Sequence, residues 1–133
     1  MIASKVWLVD DDKIFTFTVK KMIGKFRRPY QLETFGNGKL AIDRLINIEP
    51  ANIPDVILLD INMPVMDGWQ FLDSFIHYPH KDQIIIFLVS SSIDPNDKLK
   101  SKLYKEVKEF VVKPVTPKSL SNILKVVDQK QAS

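Results

Sequence analysis

The chain has 133 residues, 45% hydrophobic and 26% charged, which suits one globular domain with a substantial core and leaves no room for a second full one. It contains no cysteine, so disulfides, zinc–thiolate sites and thiol catalysis are excluded. Residues 1–90 carry 10 Lys/Arg against 11 Asp/Glu, whereas residues 91–133 carry 9 against 5. This basic final third raises nucleic-acid binding, but the lysines from Lys98 to Lys108 alternate with acids and apolar residues and form no Arg-rich, aromatic-interleaved stripe. A solvated basic face is the expectation, with nucleic acid not a partner.

No apolar run approaches the roughly 20 residues of a membrane helix. The opening Met1-Ile2-Ala3-Ser4-Lys5 leads straight into a strand pattern without a signal peptide. A reducing, cytoplasmic setting is therefore expected. Val6-Trp7-Leu8-Val9 reads as the first strand and runs into Asp10-Asp11-Asp12. Phe15, Val19, Met22, Ile23 and Phe26 then fall on one helical face, with Asp12 placed to cap it and Gly24 and Pro29 to close it. Tyr30 to Thr34 alternates like a strand near a sheet edge. After the Gly36-Asn37-Gly38 turn, Ala41, Leu45 and Ile48 stripe a second helix that ends by Pro50 and Pro54.

Val56-Ile57-Leu58-Leu59 is a buried strand that stops at Asp60. Pro64 and Gly68 shape the loop that follows, and Trp69, Leu72, Phe75 and Ile76 give the third helix its apolar side. Ile84 to Val89 is apolar throughout, as a strand covered on both faces should be, and it leads into Ser90. The fourth helix has only a narrow stripe, Leu99 and Leu103 with Tyr104, among lysines. Phe110-Val111-Val112 runs into Lys113-Pro114, and Leu120, Ile123, Leu124 and Val127 mark the last helix. Five strand–helix units joined by right-handed crossovers make a doubly wound α/β sheet, with the strand order left open.

In such sheets ligands bind outside the carboxyl ends of the strands, which is where Asp10, Asp11, Asp60, Ser90 and Lys113 stand. Each alone has an ordinary reading: a helix cap, a turn serine, a surface lysine. Carboxylates crowded together raise one another's proton affinity, and a hard divalent cation relieves the conflict. A haloacid-dehalogenase-type phosphatase would need Asp-x-Asp after its strand for acid/base chemistry, and here the second position is Asn62. His77 and His80 sit in a Pro-containing loop and read as exposed loop residues.

An acidic pair, a lone Asp, a hydroxyl and Lys-Pro, in this order and at these strand ends, resemble the receiver domain of two-component response regulators, over nearly the whole chain. It resembles the single-domain, chemotaxis-regulator-like form. The resemblance implies a flavodoxin-like, five-stranded parallel sheet of order 2-1-3-4-5 with five helices. The receiver domain would cover residues 1–128 and a C-terminal tail 129–133. Asp60 would accept the phosphoryl group. Asp11, Asp60 and the Asn62 main-chain carbonyl would ligate Mg2+, with Asp10 acting through a bound water. Lys113 and Ser90 would contact phosphoryl oxygens, Ser90 and Phe110 would form the switch, and the Lys113-Pro114 bond would be cis.

The implied donor is a histidine kinase or histidine phosphotransfer protein, and the implied target an unknown downstream protein. The domain would be a monomer or weak dimer with no output domain after Val127. It would accept a phosphoryl group and slowly release it, with the lifetime tuned at Asn62 and Ser92, rather than turn over as a conventional enzyme. The alternative is a receiver-fold interaction module that never uses phosphate. The chain departs from the family pattern in three places. Glu106-Val107 stands where receivers carry Gly-Ala, Ser91 where a small alanine is common, and Phe110 where tyrosine is frequent. Without that glycine, a left-handed cap on the fourth helix is not expected.

Overall fold

The computed structural model describes residues 3–132, with side chains through Lys130. Strands β1 (Ser4–Val9), β2 (Tyr30–Phe35), β3 (Val56–Leu59), β4 (Ile85–Ser90) and β5 (Val107–Val112) alternate with helices α1 (Lys13–Gly24), α2 (Gly38–Ile46), α3 (Gly68–Phe75), α4 (Pro95–Ser101) and α5 (Pro117–Ala132). All strand pairs are parallel, and the sheet order is β2-β1-β3-β4-β5, as the resemblance implies. The fifth strand begins three residues before Phe110, and its pairing with β4 shifts register between Ile86 and Phe87. Residues 129–132, read from sequence as a tail, continue α5. Gln, Lys and Ala all propagate a helix well.

Strand alternation sorts the core onto the two faces of the sheet. Val6, Leu8, Val56 and Leu58 join Val19, Ile23, Ile123 and Leu124 from α1 and α5. Trp7, Val9, Ile57 and Leu59 join Leu45, Phe71, Leu72 and Phe75 from α2 and α3. The inner strands β1, β3 and β4 are therefore apolar on both faces, and their polar residues are pushed to the ends.

Helix α4 departs from the sequence expectation. Leu99 and Leu103 are 60% and 82% exposed, so the leucine stripe faces away from the core. Only Ser101 of the helix is buried. The helix is short and closes on Lys102 in a right-handed conformation, φ −71°. With Glu106 in place of glycine there is no left-handed cap, as expected. The start of β5 is held instead by an ion pair, Lys81 Nζ to Glu106 Oε2 at 2.8 Å.

Candidate functional site

The three consecutive aspartates after β1 divide into separate jobs. The Asp10 N–H donates to the Phe35 carbonyl at 2.9 Å, which keeps the residue in line with the strand end. Its Oδ1 accepts from the Asp12 N–H at 2.8 Å. Asp12 caps α1, its Oδ1 accepting from the Ile14 and Phe15 N–H groups at 3.0 and 3.1 Å. Asp11 is left exposed to solvent. Asp60 is held at the end of β3 by its N–H to the Val9 carbonyl, 2.9 Å, and its Oδ1 accepts from the Ile61 N–H at 2.7 Å.

Carboxylate oxygens of Asp10, Asp11 and Asp60 all lie within 4.8 Å of one another. Asp10 and Asp60 are 4% and 7% exposed, so most of this negative charge is withdrawn from water. Lys113 enters the cluster from the end of β5. Its Nζ is 2.8 Å from Asp10 Oδ2 and 3.6 Å from Asp60 Oδ2. Asp10 Oδ2 accepts no well-aligned hydrogen bond, so the short contact is mainly one of charge. Burial pushes the Asp10 carboxyl above its ordinary pKa, with the Asp60 charge adding to it, against the pull of Lys113 and the Asp12 N–H. Burial draws the Lys113 ammonium down, but contact with Asp10 and the charges of Asp60 and Asp12 outweigh it and leave the group above its usual value. One ammonium does not neutralise three carboxylates. The all-oxygen donor set therefore fits a small hard cation such as magnesium.

Ser90 is fully buried; its Oγ accepts from the Ser92 N–H at 3.2 Å, and its carbonyl accepts from the Lys113 N–H at 2.8 Å, tying the ends of β4 and β5 together. The Lys113-Pro114 bond is cis, as the resemblance implies. Phe110 is half-buried opposite Leu88, on the α2–α3 side of the sheet. Asn62 is exposed on the loop after β3. His77 and His80 are exposed, and among the described residues neither joins a metal-type cluster.

The loop from β3 to α3 is tightly determined. The Met66 N–H donates to the Pro64 carbonyl at 2.7 Å around Val65, whose φ is +67°. That three-residue turn is rarely adopted by a β-branched side chain. The Met66 carbonyl accepts from the Gly38 N–H at 3.0 Å, docking the loop on the start of α2. Gly68 donates to the Ile61 carbonyl at 2.8 Å, and a Cβ there would lie 2.3 Å from the Asp60 carbonyl oxygen. Only glycine lets α3 begin against the backbone of Asp60.

Sequence reasoning missed two supports. Phe15, read there as core, also places its ring centroid 4.2 Å from Lys113 Nζ, where the ring face attracts the cation. Asp67 and Gln70 form a reciprocal capping box on α3, a pairing that the D-x-x-Q spacing announces. An open groove of about 580 Å3 between α1 and β2 reaches Asp10 and Asp11 and leaves the acids accessible.

The family model for the response regulator receiver domain matches residues 6–125. A two-component response regulator of Oryza sativa subsp. japonica is 29% identical over 127 residues, which is 96% of this chain but 20% of that protein. A probable cyclic di-GMP phosphodiesterase of Vibrio cholerae is 34% identical over 65% of this chain and 19% of its own length. The chain thus spans only about a fifth of these curated relatives, and the enzyme named in the second is matched in part alone. Among solved structures, a two-component response regulator from Cytophaga hutchinsonii superposes with a TM-score of 0.86 at 32% identity, covering 97% of this chain and 99% of that one. The phosphorylated cyanobacterial phytochrome response regulator RcpA gives 0.79 at 27% identity, with 96% and 93% covered. The manganese-bound response regulator Rcp1, at 23% identity, shares the fold. Strand order, the acidic cluster and the matched residues agree: the chain belongs to the response regulator receiver domain family of two-component signalling.

Proposed function

We propose that the chain is a phospho-accepting receiver in which Asp60 takes a phosphoryl group from a histidine kinase or histidine phosphotransfer protein. The observation that carries this reading is the cluster of Asp10, Asp11 and Asp60 oxygens within 4.8 Å, with Lys113 Nζ set between Asp10 and Asp60. Asp11, Asp60 and the Asn62 carbonyl would hold magnesium, with Asp10 acting through water. When bound, the metal would supply charge neutralisation for the transferring phosphoryl group. Asp60 Oδ2 forms a bond to phosphorus while the phosphorus–nitrogen bond of the donor phosphohistidine breaks, and the leaving imidazole nitrogen keeps its electron pair and takes up a proton. The product is an acyl phosphate, a mixed anhydride. Lys113 then exchanges part of its contact with Asp10 for a phosphoryl oxygen, and the Ser90 hydroxyl donates to another.

Ser90 is the last residue of β4 and Phe110 lies within β5, next to the elements that would move, so phosphorylation would bias the surface of α4, β5 and α5. The exposed Leu99 of α4 and Leu103 just beyond it, among lysines, suit an acidic downstream protein with an apolar face. Slow self-dephosphorylation by water, tuned at Asn62 and Ser92, and a cytoplasmic location accord with the same reading. No described helix is long and apolar enough to cross a membrane.

The test is intact mass after incubation with magnesium and acetyl phosphate. A single phosphoryl adduct is expected in the native protein and not in Asp60→Asn or with the metal chelated. A folded protein that gains no adduct from acetyl phosphate or from a panel of kinase donors is a phosphate-independent interaction module instead.

A further inference from the structure

Helix α4 has almost no core of its own, yet one side of it is held firmly. Trp69, in the first turn of α3, stacks on Tyr104 just beyond α4, with ring centroids 5.8 Å apart and planes 23° from parallel. The Tyr104 hydroxyl donates to Asp73 Oδ1, one turn further along α3, at 2.7 Å. Lys100, within α4, sets its Nζ 4.7 Å from the centre of the Trp69 ring. Tyr104 is the acceptor for the Val107 N–H at 3.1 Å, so the same residue leads into β5. Four side chains, Trp69, Asp73, Lys100 and Tyr104, thus tie α3 to α4 and to the middle of the connection into β5, while Leu99 and Leu103 point to solvent.

The other end of this cluster reaches the acceptor. Trp69 follows Gly68 directly, and Gly68 is packed so closely on the Asp60 carbonyl that no Cβ fits between them. The backbone path from Asp60 to Trp69 therefore has little room to absorb a displacement. We propose that the Trp69–Tyr104–Lys100 cluster is a latch that holds α4 in its unphosphorylated position, and a second route from Asp60 to α4 that runs through α3 rather than through Ser90 and Phe110. The proposal rests on Asp60 being the phospho-acceptor. In the same structure Lys113 Nζ pairs with Asp10 Oδ2 at 2.8 Å, the contact that a phosphoryl oxygen on Asp60 would compete for.

A latch of this kind has a thermodynamic signature that a merely structural contact lacks. Anything that weakens it favours the phosphorylated form, so the acceptor site must bind a phosphoryl mimic more tightly. The full chain is titrated with beryllofluoride in the presence of magnesium by calorimetry, as native protein and as Tyr104→Leu and Lys100→Met. Hydrogen exchange of residues 95–101 is followed in parallel, and adduct formation with acetyl phosphate is checked by mass. An aromatic pair of this kind corresponds to roughly a twofold to tenfold change in an equilibrium constant. Beryllofluoride affinity should rise by about that factor in Tyr104→Leu and by less in Lys100→Met, with α4 exchange faster before any ligand is added. Lys100→Met changes an exposed side chain and keeps the test open should Tyr104→Leu fold poorly. Affinity that is unchanged or lower in folded variants, with the Asp60 adduct still forming, overturns the latch alone. A native protein that forms no Asp60 adduct and binds no beryllofluoride overturns the latch together with the phospho-acceptor reading.

Discussion

Val65 carries the clearest local conflict in the chain. It is 79% exposed and its φ is +67°, a region that a β-branched residue avoids. Such a conformation costs roughly 1–2 kcal/mol for an L-residue. Glycine there escapes that cost but loses about 0.5–1 kcal/mol through its greater freedom in the unfolded chain. Val65→Gly should therefore stabilise the protein by about 0.5–1 kcal/mol, read as a higher urea midpoint at unchanged slope. A midpoint that stays put or falls would show the turn to be unstrained. The strain is tolerated because the segment that follows Val65 is pinned, Met66 on Gly38 and Gly68 on Ile61. Phe15 makes the complementary point, since its spacing marks it as core while its second contact, with Lys113, is set by an element about a hundred residues away in sequence.

At the scale of elements, the connection from α4 to β5 shows how the chain manages without glycine. Glu106 pairs with Lys81 across the start of β4, and its carboxyl is 10% exposed. The Lys81 contact lowers its pKa, burial opposes this, and its own N–H and the charges of Lys81 and Lys105 lower it further. A carboxylate depressed in the folded state adds stability above its unfolded value, near 4.5, and loses it as the pH falls through the lower folded value. Urea unfolding of the native protein should therefore weaken below that pH more steeply than in Glu106→Gln, which is less stable at pH 7 and closer to it in acid. Parallel pH curves for the two proteins would remove the ion pair from the account of β5. α4 itself begins at an Asp94 cap followed by Pro95, but Leu99 within it and Leu103 just beyond it face solvent because no neighbouring element covers that side.

At the scale of the molecule, the sheet order brings β1 and β3 side by side and so brings Asp10, Asp11 and Asp60 together. The fold has to hold that uncompensated charge, and a cation that binds only the folded form returns stability by mass action. At about a hundred times its dissociation constant, magnesium should contribute roughly 2.7 kcal/mol, a rise in Tm on the order of 10 °C for a domain of this size. Asp11→Asn, which removes a solvent-facing carboxylate of the cluster and little packing, should lose most of that rise in a thermal melt with and without magnesium. An equal rise in both proteins would place the metal elsewhere.

The sequence by itself determined the alternation of strands and helices, the two-faced burial of the central strands and the arrival of acids, serine and lysine at strand ends. These follow from side-chain periodicity and from polar residues collecting where an apolar strand stops, which are local properties. Strand order did not follow from periodicity; it came from the family resemblance, and the observed sheet agrees with it. The tertiary structure alone decided that Leu99 and Leu103 stay exposed, that Lys81 meets Glu106, that Trp69 and Tyr104 stack, and that Val65 takes a positive φ. Each of these depends on which surfaces the packed sheet and helices leave covered, open or too close. A pattern along the chain shows that a residue is apolar or charged, and only the neighbours brought by the fold decide what it meets.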